Sequence, residues 1–329
     1  MHEIRHGAAR SIFVAAALLA FVPQAWAFQA EVLESVVSVL PLWPNMARGG
    51  QASVPPGTAP EGTAVAILPG GYLVTALHVV ERALDIEVRL PDGRQIPAEL
   101  VAGDAATDLA LLRIAQDLPV LPDAPEPDLG APACLIGNQF GLDLSVTCGV
   151  VSALHRSGTG FNAIEDFVQT DASANPGASG GALVDAQGRL LGIVSAIFTK
   201  ESDADIGVNF AASIALVRRV VADLAAQGRV IWAEAGFRVR DLEPAQRARL
   251  SGAMVTKVAP GGAAARAGLR PGDIVQRVGG RAVRKASDVT GALALARPGI
   301  SLTLTLAPDQ AGGAGPAGES RELRLDLPR

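Results

Sequence analysis

Aromatic residues are scarce in this chain: nine Phe, three Trp and one Tyr, 4% of 329 residues. Ala and Gly are abundant instead, which reads as a bias of genome composition without functional content. There are only two cysteines, Cys134 and Cys148, and their spacing does not resemble a zinc site. No histidine–cysteine cluster, Walker loop or dinucleotide fingerprint occurs, so neither metal nor cofactor is expected. The net charge is −5, from 28 basic and 33 acidic residues. A mildly acidic chain without a basic stripe argues against nucleic-acid binding. Past the first apolar run, no segment is long enough to span a membrane. Histidine is rare too, with four copies. His2 and His6 lie in a leader-like start, which leaves His78 and His155 as candidate general bases.

That start carries Arg5 and Arg10, an apolar run from Ser11 to Val22, and Ala25-Trp26-Ala27. Residues 1–27 thus follow the n-region, h-region and small-residue cleavage pattern of a secretory signal. The run falls short of the roughly 20 apolar residues of a transmembrane helix. The expectation is an exported protein; the alternative is an uncleaved leader that anchors the chain to the membrane. Export agrees with the cysteines, which flank Asn138–Asp143. A hairpin there would bring them within bridging range, and disulfides persist in oxidising compartments. Two buried free thiols are the other reading.

The most informative stretch is Asn175-Pro176-Gly177-Ala178-Ser179-Gly180-Gly181, which runs into the apolar Ala182-Leu183-Val184. A serine hydroxyl is a weak nucleophile until a base takes its proton and backbone N–H groups hold the oxyanion. A tight turn at Gly177 directs the N–H groups of Gly177 and Ser179 into one small space, and Gly180 and Gly181 let a substrate backbone approach. His78 ends the apolar strand pattern Tyr72–Ala76 and is the candidate base; His155 reads as a strand-end surface residue. Asp108 opens the apolar run Leu109–Ile114, where a carboxylate is costly without a partner. Asp85, Asp92 and Asp104 lie in polar or turn-like settings and read as solvated loop residues. Each choice has a plainer reading: an ordinary β-turn, a satisfied core histidine, a salt-bridged strand end. The chain order His78, Asp108, Ser179 is that of the chymotrypsin-type triad.

Several segments together resemble the HtrA (Deg) serine proteases over nearly the whole chain after the leader. They are Thr75–Val80, Thr107–Leu112, Ile136–Leu142, Gln169–Ala172, Asn175–Gly181 and Gly207–Ala211. Ala178 departs from the asparagine usual there, Gln139 from proline, and Ala76-Leu77 from polar residues. The resemblance implies a mainly β protein: a chymotrypsin-like double β-barrel protease domain over 28–228, then one PDZ domain over 229–329. Short strands punctuated by turns fit the first unit, and a proline-rich stretch from Pro119 to Pro132 divides it. A helix capped by Ser213 and stopped by Gly228 ends it.

Gln51–Gly62 reads as a surface loop, and Gly312–Pro316 as a loose hairpin loop. In the second unit, Ala267-Gly268-Leu269-Arg270-Pro271-Gly272-Asp273 carries the PDZ likeness. Ala235, Gly236, Phe237 and Arg238 match the loop that catches a peptide carboxylate in that family. The plainer reading is a strand start with a glycine.

By position in the family motif, Ala174 and Phe198 line the primary pocket, and Ser195, Ala196 and Ile197 form the edge that pairs with substrate. Core packing is the plainer reading of Ala174 and Phe198. Ser173 stands where trypsin-like enzymes carry aspartate, so small aliphatic side chains are expected before the cleaved bond. The resemblance further implies a periplasmic enzyme of protein quality control that cleaves unfolded polypeptides. It also implies C-terminal peptides as PDZ ligands, and a homotrimer. A catalytically silent peptide sensor and a chaperone-like binder are the alternatives.

Overall fold

Strands β1 (Val36–Leu42), β2 (Gly62–Leu68), β3 (Tyr72–Ala76) and β6 (Leu109–Ile114) are buried at nearly every position. Such runs fit strands covered on both faces. The computed structural model describes residues 29–44, 61–197, 206–308 and 320–328. The leader, Phe198, most of the Gln51–Gly62 loop and the Gly312–Pro316 loop lie outside those residues. With β4 (Asp85–Arg89) and β5 (Gln95–Asp104), these strands close a six-stranded barrel in the order β1-β2-β3-β6-β5-β4. A second closed barrel, β10-β11-β12-β9-β8-β7, uses β7 (Pro132–Gly137), β8 (Ser145–Arg156), β9 (Phe167–Thr170), β10 (Ala182–Asp185), β11 (Leu190–Ile197) and β12 (Asn209–Ser213).

Alternation explains the double burial. On β2, Ala64 and Ala66 join a cluster confined to the first barrel, while Val65 and Ile67 join a core shared with the second. On β6, Ala110 and Leu112 go one way and Leu109 and Leu111 the other. The shared core also takes Ile136, Ala182, Val184 and Phe210 from the second barrel. A side chain of this kind, fully buried, contributes roughly 1.5–3 kcal/mol. The barrels are therefore welded through their outer faces, which fixes one relative to the other. Helix α1 (Leu77–Val80) follows β3, and α2 (Ile214–Gln227) closes the shared core with Leu216, Val217, Val220, Val221 and Leu224. Ser213 Oγ caps α2 by accepting from the Leu216 N–H at 3.3 Å, and Gly228 ends it in the left-handed region at φ 71°.

The remaining sheet has the order β13-β14-β15-β17-β18: β13 (Phe237–Asp241), β14 (Ala253–Val258), β15 (Ile274–Val278), β17 (Ser301–Leu306) and β18 (Arg321–Asp326). Two-residue β16 (Arg281–Ala282) pairs with β15. Short helices α3 (Pro244–Arg247) and α4 (Ala263–Arg266) precede α5 (Ala286–Ala294). This unit rests on the β8–β9 connection of the second barrel. Arg281 Nη1 donates to Asp166 Oδ1 at 2.8 Å, Ser157 Oγ donates to Asp288 Oδ1 at 2.7 Å, and Lys285 Nζ donates to the Ser157 carbonyl. No helix among the described residues is long and apolar enough to cross a membrane.

Candidate active site

The Leu77 N–H donates to the Asp108 carbonyl at 2.9 Å, which draws the chain out of β3 and into α1. His78 therefore sits in a helical turn, not at the strand end read from the sequence. Asp108 has φ 56°, a left-handed conformation uncommon outside glycine. That turn lets its carboxylate reach back over its own carbonyl contact. Oδ1 accepts from the His78 backbone N–H at 2.9 Å, and Oδ2 meets His78 Nδ1 at 2.7 Å. A carboxylate on Nδ1 selects the tautomer whose lone pair is on Nε2. The His78 side chain is 49% exposed and that of Asp108 17%, so the ring is open to solvent while its anchor is sheltered.

Between Pro176 and Gly181, the Ala178 N–H donates to Asn175 O at 2.9 Å, Gly180 to Val194 O at 2.7 Å and Gly181 to Ala178 O at 2.9 Å. The N–H groups of Gly177 and Ser179 have no acceptor among the described residues. Two spare donors flanking one that is turned away is the arrangement an oxyanion hole requires. Gly177 sits at φ 94°, and a Cβ there would collide with Asn138 O, so only glycine fits.

The serine loop is bound to the first barrel. The Thr63 N–H donates to Ser179 O at 2.9 Å. Gly180 lies so close that a Cβ would collide with Thr63 O and Thr75 Oγ1 and come within 3.1 Å of Ala76 N. Ser179 is thus held against the strand end that launches His78. Among the described residues, Ser179 Oγ makes no hydrogen bond, to His78 Nε2 or to any other group.

Besides Asn175, which lies in the serine motif itself, four supporting residues escaped the sequence reading of the site. Thr63 Oγ1 donates to Gly177 O at 2.8 Å and accepts from the Asn138 N–H at 2.9 Å. Asn138 Nδ2 donates to Glu61 Oε2 at 2.6 Å, and Asn175 Nδ2 to Gln139 Oε1 at 2.7 Å. Asn138 and Gln139 lay within a segment already noted for its likeness; Glu61 and Thr63 carried no signal, because a cross-barrel contact leaves no local pattern.

Ala174 is fully buried and clusters with Ala172, Ala178 and Ala211. Ser195 Oγ accepts from Asn162 Nδ2 at 3.3 Å. Ala196 pairs with Phe210 and Ile197 with Asn209 on β12, while Ser195 sits at a register shift. On the side of the serine loop, β11 bonds no further than Val194, so the backbone of residues 195–197 has no strand partner there among the described residues. Gly236 takes φ 75° just before β13, and its carbonyl accepts from the Ala259 N–H at 2.8 Å, while that of Ala235 accepts from Ala264 at 3.1 Å. Phe237 and Arg238 begin β13, which among the described residues pairs only with β14 and so forms a sheet edge. Cys134 and Cys148 stand opposite each other on β7 and β8, joined by a disulfide. His155 is placed elsewhere, between Asp166 and Glu126. Among the described residues no three His, Cys, Asp or Glu side chains are grouped to hold a metal.

A trypsin-like peptidase domain model matches residues 62–193 and a PDZ domain model residues 231–307. The chain is 36% identical over 248 residues to the periplasmic serine endoprotease DegP of Escherichia coli strain K12, covering 73% of this chain and 52% of that protein. To a probable periplasmic DegP-like serine endoprotease of Halomonas elongata it is 34% identical over 313 residues, 85% of this chain and 65% of the other. It spans about half the length of the first curated relatives it matches. Among solved structures, the HtrA-type protease AlgW with tripeptide superposes at TM-score 0.67 and 33% identity, over 91% of this chain and 96% of that one.

Proposed function

The chain belongs to the HtrA-type family of trypsin-like serine proteases carrying a PDZ domain, and from that premise we propose that it is a periplasmic serine endopeptidase that cuts unfolded polypeptides. The observation that carries this reading is the doubly held His78–Asp108 pair across from a serine turn with two spare amides. His78 Nε2 takes the Ser179 proton as Oγ bonds to the peptide carbonyl carbon and the carbonyl electron pair moves to oxygen. The N–H groups of Gly177 and Ser179 hold that oxyanion. Collapse breaks the C–N bond, with His78 returning the proton to the leaving amine. Water then repeats the sequence on the acyl-enzyme. Asp108 keeps the imidazole oriented and stabilises its charged form.

The free edge at Ser195, Ala196 and Ile197 supports pairing with an extended substrate. Ser173 in place of an acid supports small aliphatic side chains before the cleaved bond. Edge strand β13 with Ala235, Gly236, Phe237 and Arg238 supports capture of C-terminal peptides. Periplasmic quality control and a homotrimer built through the barrel units rest on the family. The domain limits 28–228 and 229–329 remain part of this proposal, as does the signal role of 1–27. The test is Ser179→Ala, which is expected to abolish cleavage of unfolded casein; unchanged turnover would refute the assignment.

One observation favours a second reading, a locked peptide sensor: Ser179 Oγ is without a bond to His78 in this structure. Casein turnover with and without C-terminal hydrophobic peptides separates the two. An endopeptidase gains activity or is already active; a silent sensor stays inert under both conditions.

A further inference from the structure

We infer that Gln139 is a positioning residue for the oxyanion turn, acting through Asn175; the inference rests on the serine endopeptidase reading above. Three successive residues of the arm that leads into the turn are each gripped by a different group. Asn175 Nδ2 donates to Gln139 Oε1 at 2.7 Å, the Pro176 carbonyl accepts from the Phe140 N–H at 2.6 Å, and the Gly177 carbonyl accepts from Thr63 Oγ1 at 2.8 Å. The Phe140 grip is main chain, and Thr63 belongs to a barrel strand. Gln139 alone is a side-chain amide brought to the arm from a short loop, the 3-10 turn Gln139–Gly141.

Gln139 is 6% exposed, and its buried Nε2 has no partner among the described residues. Leaving a buried donor unbonded is costly. Such a cost persists where the other end of the group has a task that fixes its orientation. Here that task is the single bond from Oε1 to Asn175. Asn175 in turn accepts the Ala178 N–H at 2.9 Å through its own carbonyl. That bond turns the Ala178 amide away and leaves the Gly177 and Ser179 amides as the two free donors. Gln139 thus sets the aim of both donors through one intermediate residue, without touching substrate.

An effect on donor aim is felt in the transition state and not in substrate binding. Gln139→Met keeps the size and removes the acceptor. In the full chain, assayed on a fluorogenic peptide with valine before the cleaved bond, it is expected to lower kcat about ten-fold with KM unchanged. Inhibition by the matching peptide boronic acid, whose tetrahedral adduct uses the same donors, weakens by the same factor. In an Asn175→Leu background, which itself repeats the loss, adding Gln139→Met has no further effect.

A merely structural role would instead give losses that add, with boronate affinity unchanged per folded molecule. Wild-type kcat and boronate inhibition in Gln139→Met overturn the inference while the endopeptidase reading stands. Should Gln139→Met fail to fold, Asn175→Leu alone decides: a ten-fold loss of kcat at constant KM supports the inference, and wild-type kcat overturns it. A wild-type protein that neither cuts the peptide nor binds the boronate defeats the endopeptidase reading, and this inference with it.

Discussion

Two histidine–aspartate pairs occur in the described residues, and they differ in what the far ring nitrogen meets. His78 Nδ1 lies 2.7 Å from Asp108 Oδ2, and His155 Nδ1 lies 3.0 Å from Asp166 Oδ1. Each includes one residue with left-handed backbone, Asp108 at φ 56° and His155 at φ 52°. Yet Nε2 of His155 is spent on Glu126 at 3.2 Å, while that of His78 has no partner among the described residues. The carboxylates differ as well. Asp166 also accepts from Ser213 Oγ at 2.6 Å and from Arg281 at 2.8 Å. Burial pushes its carboxyl up, but the His155 hydrogen bond, the Arg281 guanidinium and Ser213 outweigh that and hold it below the usual range. A histidine–carboxylate contact is therefore not a base by itself. One pair is left open on one nitrogen, as the proposed proton transfer needs; the other, closed on both, joins the second barrel to the β13–β18 unit.

Breaking the open pair should be far costlier to chemistry than breaking the closed one. His78→Ala is expected to lower casein cleavage by about 10⁶-fold, with the circular dichroism spectrum unchanged. Asp108→Asn keeps the shape but permits the wrong tautomer, and a loss of about 10⁴ in kcat follows. Retention of more than a tenth of the activity would mean that Asp108 does not orient the base. Gly177→Ala leaves both pairs intact but disturbs the donors, and steady-state kinetics should show a loss of about 10²–10³.

The smallest expected change in rate belongs to Asp166→Asn, whose effect is on stability. Removing one partner of a buried ion pair costs about 3 kcal/mol, read as a lower urea midpoint at neutral pH. Because the folded carboxyl titrates below its unfolded value, its stabilisation is full above the unfolded value and fades as pH falls through the folded one. The wild type should therefore lose stability below about pH 4 more steeply than Asp166→Asn. Equal slopes would remove Asp166 from the acid-side balance.

Much of this was legible from the sequence, and the gaps have physical causes. The strands of the shared core announced themselves as unbroken apolar runs. β5 did not: its residues are mostly half-buried or exposed, and Pro97 and Glu99 break any apolar pattern. His78, Asp108 and Ser179 could be singled out as candidates because each borders a strand with a residue that is costly or unusual there. The helical turn carrying His78 was misread because it is four residues long and is set by the bond from Leu77 to Asp108, far away in sequence. Glu61 and Thr63 were invisible for the same reason: their roles arise from barrel-to-barrel contact. Gln139 was noticed only as a departure from a family pattern; its bond to Asn175 needed coordinates.

The most direct test of the account is covalent labelling of the full chain with a fluorophosphonate, in the presence of a hydrophobic C-terminal peptide, followed by peptide mapping. The account predicts one adduct, on Ser179, lost in His78→Ala and retained in His155→Ala. An adduct on another residue, no adduct at all, or labelling that depends on His155 in place of His78 would contradict it.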